Sequence, residues 1–124
     1  MKKLLLVDDD VEFCEATKLL LESKGYEVHL AYDGKDGLEK IRAYKPNVVI
    51  LDVMMPEING YDVCVIVKQD PELKDIPVIL LTAIDQAVFR TTYSQAMGLM
   101  TEADDYIAKP VEPEELAKRV EALT

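Results

Sequence analysis

Short, continuous apolar runs alternate along the chain with longer stretches in which apolar residues return every three or four positions. Leu4-Leu5-Leu6-Val7, Val48-Val49-Ile50-Leu51 and Val78-Ile79-Leu80-Leu81 are the continuous runs. A run with no polar face predicts a strand buried on both sides, as in a parallel sheet covered by helices. Glu27 to Ala31 alternates instead, with Val28 and Leu30 on one side, and Tyr106-Ile107-Ala108 is short. These two predict edge strands. Val11 to Lys24 carries Phe13, Cys14, Leu20 and Leu21 on a helical face and stops at Gly25, a residue suited to a helix C-cap. Lys35 to Tyr44, Gly60 to Gln69, Gln86 to Met97 and Pro113 to Leu123 read as further helices. Pro71 follows the end of the third, and Pro113 suits the first turn of the last.

Strand and helix thus alternate five times. That (βα)5 pattern predicts an α/β domain spanning 1–124, with a five-stranded parallel sheet between two helical layers. Three buried strands and two edge strands fit the order 2-1-3-4-5, the flavodoxin-like three-layer sandwich. In such sheets ligands bind beyond the carboxyl ends of the strands, near the switch point between strands 1 and 3.

Chemistry collects at that edge. Asp8, Asp9 and Asp10 follow strand 1, Asp52 follows strand 3, Thr82 and Ala83 follow strand 4, and Lys109 and Pro110 follow strand 5. Carboxylates held close together repel, and a divalent cation relieves the repulsion. Oxygen ligands without thiol or imidazole point to Mg²⁺, with Mn²⁺ as the other choice. A carboxylate is a competent nucleophile toward phosphorus. A cation and a lysine neutralise charge on a transferring phosphoryl group.

Composition narrows the partners. A net charge of −10 sets the chain against phosphate backbones and anionic membrane surfaces, so direct nucleic-acid binding and membrane insertion are not expected. Cys14 and Cys64 lack a CxxC spacing and are read as reduced, buried residues. The four-residue run before Asp8 is too short for a signal peptide, so a cytoplasmic protein is expected. Asp10 is read as the cap of the first helix, His29 as non-catalytic, and the side chains of Met54 and Met55 as packing.

Together these pieces resemble the CheY-like receiver domain of two-component response regulators. The matching segments are Leu5 to Asp10, Val49 to Pro56, Asn59-Gly60, Pro77 to Ala83 and Ala103 to Pro110. The resemblance implies that Asp52 accepts a phosphoryl group from a sensor histidine kinase or a histidine phosphotransfer protein. It implies Mg²⁺ held by Asp9 and Asp52 through their side chains, by Met54 through its carbonyl, and by Asp8 through water. Thr82 and Lys109 would hold phosphoryl oxygens, small Ala83 would leave room for them, and Lys109-Pro110 would be a cis peptide. Thr82 and Tyr106 would be the switch. Thr82 would move toward the phosphoryl group and Tyr106 would turn inward, remodelling the surface of the helix at Gln86 to Met97, the last strand and the last helix. The protein would be a switch rather than an enzyme with a separate substrate, a monomer or a phosphorylation-linked dimer acting on an output partner.

The chain departs from the family in two places. The stretch from Thr82 to Lys109 is longer than usual, so around Met97 to Glu102 either the fourth helix is extended or the loop before the last strand is enlarged. Val111 stands where an aromatic residue is common. Met54 and Ile84, at positions that influence water attack, are both apolar, which predicts slow self-dephosphorylation. Two other readings use the same residues. A haloacid-dehalogenase-like phosphohydrolase would take Asp8 as nucleophile, but Glu12 replaces the expected Thr or Val and there is no room for a cap. A receiver-like scaffold would not accept phosphate at all. A P-loop nucleotidase is disfavoured by the lack of GxxxxGK[ST], although Val49 to Asp52 resembles its second motif.

Overall fold

The computed structural model describes residues 1–83 and 103–124. Its elements in order are β1 (Lys3–Val7), α1 (Val11–Ser23), β2 (Glu27–Ala31), α2 (Gly34–Tyr44), β3 (Val48–Asp52), α3 (Gly60–Gln69), β4 (Val78–Ala83), β5 (Asp105–Lys109) and α4 (Pro113–Leu123). The strands form one sheet in the order β2-β1-β3-β4-β5, every neighbouring pair parallel. The helix expected at Gln86 to Met97, the extension at Met97 to Glu102, and Ile84 lie outside the described residues.

The continuous runs have the cause that their pattern implied. Leu5, Val7, Val49, Leu51 and Leu80 face a core shared with α2 and α3. Leu4, Leu6, Val48, Ile50 and Leu81 face the opposite core, shared with α1 and α4. Successive strand residues point to opposite faces, so a sheet covered on both sides needs apolar residues at every position.

The strands run farther than their apolar residues. β3 includes Asp52, β4 includes Thr82 and Ala83, and β5 spans Asp105 to Lys109. The parallel ladder continues through pairs such as Asp52 with Leu81 and Thr82 with Ala108. Asp52, Thr82, Ala83 and Lys109, expected just beyond strands, are therefore the last residues of strands, held by backbone pairing rather than left on loops.

Helix ends follow local chemistry. The Asp10 side chain accepts from the Phe13 N–H at 3.1 Å and caps α1. Gly25, at φ +96°, ends it in the left-handed region that glycine adopts freely. Asn59 and Asp62 form a reciprocal capping box at the start of α3. No helix among the described residues is long and apolar enough to cross a membrane.

Candidate functional site

The parallel sheet delivers its charged residues to one edge. Asp8 directly follows β1, and its N–H donates to the Ala31 carbonyl of the neighbouring strand. Asp52 closes β3, Thr82 is the penultimate residue of β4, and Lys109 closes β5. Asp8, Asp52 and Thr82 are buried, while Asp9 is exposed above them.

Lys109 joins the strands at this edge. Its Nζ lies 2.9 Å from Asp8 Oδ2 and 3.2 Å from Asp52 Oδ1. Asp8 Oδ1 accepts from the Asp10 N–H at 2.9 Å, so both oxygens of Asp8 are engaged. Carboxylate oxygens of Asp8, Asp9 and Asp52 all lie within 4.8 Å of one another. Among the described residues, one ammonium thus contacts two of these three acids. This oxygen-only cluster matches the donor chemistry of Mg²⁺, a hard cation satisfied by a few carboxylates and water.

The electrostatics follow from burial. Burial and the nearby Asp8 charge push the Asp52 carboxyl up to about 6, against the opposing pull of Lys109. Burial alone would lower Lys109, but its hydrogen bond to Asp8 and the charges of Asp52 and Asp8 outweigh this and hold it above its usual range. Cys14 donates its thiol to the Asp8 carbonyl at 3.3 Å. Burial first, and then the charges of Asp8 and Asp10, push that thiol up to about 12, so it is no nucleophile.

Thr82 supplies the second polar feature. Its hydroxyl is buried and has no hydrogen-bond partner among the described residues. An unmade buried hydrogen bond costs about 1–3 kcal/mol, so this hydroxyl retains an unused donor at the site's edge. Tyr106 is half-buried against the core on the α2 and α3 side. It lies two residues before Ala108, the ladder partner of Thr82, so Thr82 and Tyr106 project from the same face.

Two sequence readings need correction or extension. Met55 is buried, but the Met54 side chain is 63% exposed and is not packing. It sits on the turn after β3, where the chain leaves the sheet and no helix among the described residues covers it. Gly60 does more than start a helix. A Cβ there would lie 2.4 Å from the Asp52 carbonyl oxygen and 2.9 Å from the Val53 Cα, so only glycine lets α3 begin against β3. The Asn59-Gly60 pair carried that signal without the reason. The Lys109-Pro110 bond is cis, as the resemblance implied.

The remaining candidates fall elsewhere. His29 pairs with Glu27 at 2.7 Å and stacks on Tyr44, a structural role on the edge strand. Cys14 and Cys64 are buried and unbridged. Asp104 accepts from Lys68 and from the Val78 N–H, and Asp105 pairs with Arg119.

Comparisons with known proteins agree with this geometry. The family model described as the response regulator receiver domain matches residues 4–121. The response regulator ArlR of Staphylococcus saprophyticus is 38% identical over 123 residues, covering 99% of this chain and 52% of that protein. The solved structure of the chemotaxis protein CheY4 of Vibrio cholerae aligns with a TM-score of 0.85 at 30% identity, covering 100% of this chain and 99% of that one. TrrA of Thermotoga maritima, solved in complex with Mg²⁺ and BeF, aligns with a TM-score of 0.83 at 34% identity over the whole of both chains. The chain spans about half the length of the curated relatives it matches.

Proposed function

The chain belongs to the response regulator receiver domain family of two-component signalling, and from that premise we propose that Asp52 is its phosphoryl acceptor. The observation that carries this reading is Lys109 drawn between Asp8 and Asp52, with the Thr82 hydroxyl unpartnered among the described residues. That combination suits a pocket awaiting a tetrahedral anion. Residues 1–124 act as one receiver domain. The donor is a phosphohistidine on a sensor kinase or a phosphotransfer protein, and the unbridged cysteines favour a reducing compartment such as the cytoplasm.

The transfer uses the geometry directly. An oxygen of Asp52 attacks phosphorus as the bond from phosphorus to the donor nitrogen breaks. Lys109, already within hydrogen-bond range of Asp52, moves its ammonium to a phosphoryl oxygen while keeping Asp8. The Thr82 hydroxyl donates to a second oxygen. Asp9 and Asp52, the Met54 carbonyl and, through water, Asp8 would hold Mg²⁺. Bound there, the ion supplies positive charge to the oxygens being transferred. As Thr82 shifts, Tyr106 on the same face reorients with it, and the surface around β5 and α4 passes the signal to an output partner or to a second copy of the chain.

Incubation with acetyl phosphate and Mg²⁺ followed by intact-mass measurement tests the acceptor. One phosphoryl group is expected on the native chain and none on Asp52→Asn. Labelling that instead requires Asp8 would favour the phosphohydrolase reading, which the engagement of both Asp8 oxygens disfavours. Met54 stands exposed beside the acceptor and has no group to align an attacking water. Slow decay of the labelled form is expected, and a lifetime of only seconds counts against it.

A further inference from the structure

Two segments carry the candidate cation ligands outside the sheet, and one helix packs against both. Asp8 and Asp9 follow β1, and Met54 stands in the loop between β3 and α3. α2 is seated on β1. Its Leu38 and Ile41 are buried in the same core as Val7, and a Cβ on Gly37 would lie 3.0 Å from Val7 Cγ1. The first residue of α2 meets the loop. A Cβ on Gly34 would lie 2.4 Å from the Ile58 carbonyl oxygen and 3.2 Å from its carbonyl carbon. Those atoms are backbone, so a side chain at Gly34 forces the loop and the helix apart. Gly34 lies outside the left-handed region, and alanine is the better helix former. Close approach is therefore what demands glycine at this position.

Beside that contact the two segments stand apart. A hollow of about 150 Å³ separates them, lined by Asp33, Gly34, Lys35, Pro56, Glu57 and Ile58. The loop above it is under strain. Glu57 is held at φ +66°, in the left-handed region that a residue with a side chain enters at a cost. Such a conformation persists only where the surroundings impose it. The Ile58 side chain packs on the core of α2 and α3, and the Val53 carbonyl accepts from the Met55 N–H at 3.2 Å and the Gly60 N–H at 3.0 Å. The Met54 carbonyl accepts no backbone hydrogen bond among the described residues, so the shape of the loop alone aims it.

We infer that α2 braces the cation-binding loop and that Gly34 is a positioning residue for the Met54 carbonyl. The inference rests on the reading of Asp9, Asp52 and the Met54 carbonyl as the Mg²⁺ ligands. Packed on β1 at Gly37 and on the loop at Gly34, α2 sets the spacing between Asp9 and Met54. Mg²⁺ demands near-ideal octahedral geometry, so a displaced loop is felt first as lost affinity for the ion. Asp52 and Lys109 are held by the ladder of the sheet and keep their places when the loop moves.

The test is calorimetric titration with Mg²⁺ at fixed ionic strength on the native chain, Gly34→Ala, Ile58→Ala and Gly25→Ala. Ile58→Ala frees the loop from the core without adding an atom, so it decides the matter if Gly34→Ala does not fold. Gly25→Ala is the control. Alanine at φ +96° is strained by its backbone alone, with open space around it and no contact with the loop. The Mg²⁺ dissociation constant is expected to rise about tenfold in Gly34→Ala and Ile58→Ala, the loss typical of a metal ligand deprived of its support. It should stay at the native value in Gly25→Ala. Labelling by acetyl phosphate should split in the same way. The half-saturating Mg²⁺ concentration rises in both loop variants, while the rate at saturating Mg²⁺ stays near native. An unchanged dissociation constant in folded Gly34→Ala overturns the inference, whatever its unfolding midpoint. Where that chain does not fold, an unchanged constant in Ile58→Ala does the same. Equal rises in all three variants also overturn it, since general loss of stability then explains them. Failure of the acceptor reading looks different: Asp52→Asn labels as well as the native chain while the Mg²⁺ constants still split. A native chain that binds no Mg²⁺ overturns both the cation site and the brace.

Discussion

Asp52 is an acid held near 6 by burial and by the charge of Asp8, when an unhindered aspartate sits at 3.8. Between those two values the folded chain binds the extra proton more tightly than the unfolded chain. Stability therefore falls as pH rises through that window, and above it the full cost of the buried charge remains. A shift of this size corresponds to about 3 kcal/mol. Asp52→Asn removes the charge while Lys109 keeps Asp8 as a partner. Urea unfolding without divalent cations is expected to show Asp52→Asn as the more stable chain at pH 7, with a clearly smaller gain at pH 4.5. An equal gain at both values would show that the buried charge is not the cause. Thr82 makes a similar bargain. Thr82→Val keeps the shape and removes the unpartnered hydroxyl, so the resting protein should gain about 1 kcal/mol. The same change should weaken binding of beryllium fluoride with Mg²⁺, read by thermal shift, because the waiting donor is gone.

The site depends on how two elements meet. β3 ends at Asp52, and α3 begins at Gly60 directly against the Asp52 carbonyl, with no room for a Cβ. Gly60→Ala should push α3 away from β3 and tilt Asp52. An overpacking cost of about 1–3 kcal/mol in urea unfolding is expected, with a fall in the rate of labelling by acetyl phosphate. A normal rate at reduced stability would mean that α3 does not set the orientation of Asp52. This contact also marks where the sequence stops being legible. The strand interiors were readable because both faces are buried, which leaves a continuous apolar signature at Leu4 to Val7, Val48 to Leu51 and Val78 to Leu81. Strand ends were not readable, because Asp52, Thr82 and Lys109 extend the ladder through backbone bonds while their side chains serve chemistry. The acids and the lysine were legible as a set, since topology forces the ends of parallel strands together. The bridge from Lys109 to Asp8, the approach of Gly34 to Ile58 and the exposure of Met54 were not. Those depend on the angle at which each chain leaves the sheet, which residue type alone does not encode.

At the scale of the molecule, a net charge of −10 works against compactness through self-repulsion. The repulsion is concentrated where carboxylate oxygens of Asp8, Asp9 and Asp52 lie within 4.8 Å of one another. Lys109 contacts Asp8 and Asp52, which leaves the exposed Asp9 as the natural entry for a cation. The unfolded chain has no such cluster, so a divalent ion that binds here binds the folded state and stabilises it by mass action. At a concentration one hundred times its dissociation constant the gain is about 2.7 kcal/mol. Monovalent salt also raises stability, because it screens the overall charge. The two effects separate when Mg²⁺ is compared with sodium chloride at equal ionic strength. Mg²⁺ is expected to raise the unfolding midpoint beyond the matched salt, and the excess should follow a single-site saturation curve. Asp9→Asn leaves the Asp8–Lys109–Asp52 bridge intact and should abolish the excess while keeping the response to sodium chloride. Equal responses to the two salts in the native chain would mean that the cluster is a region of high charge and not a cation site.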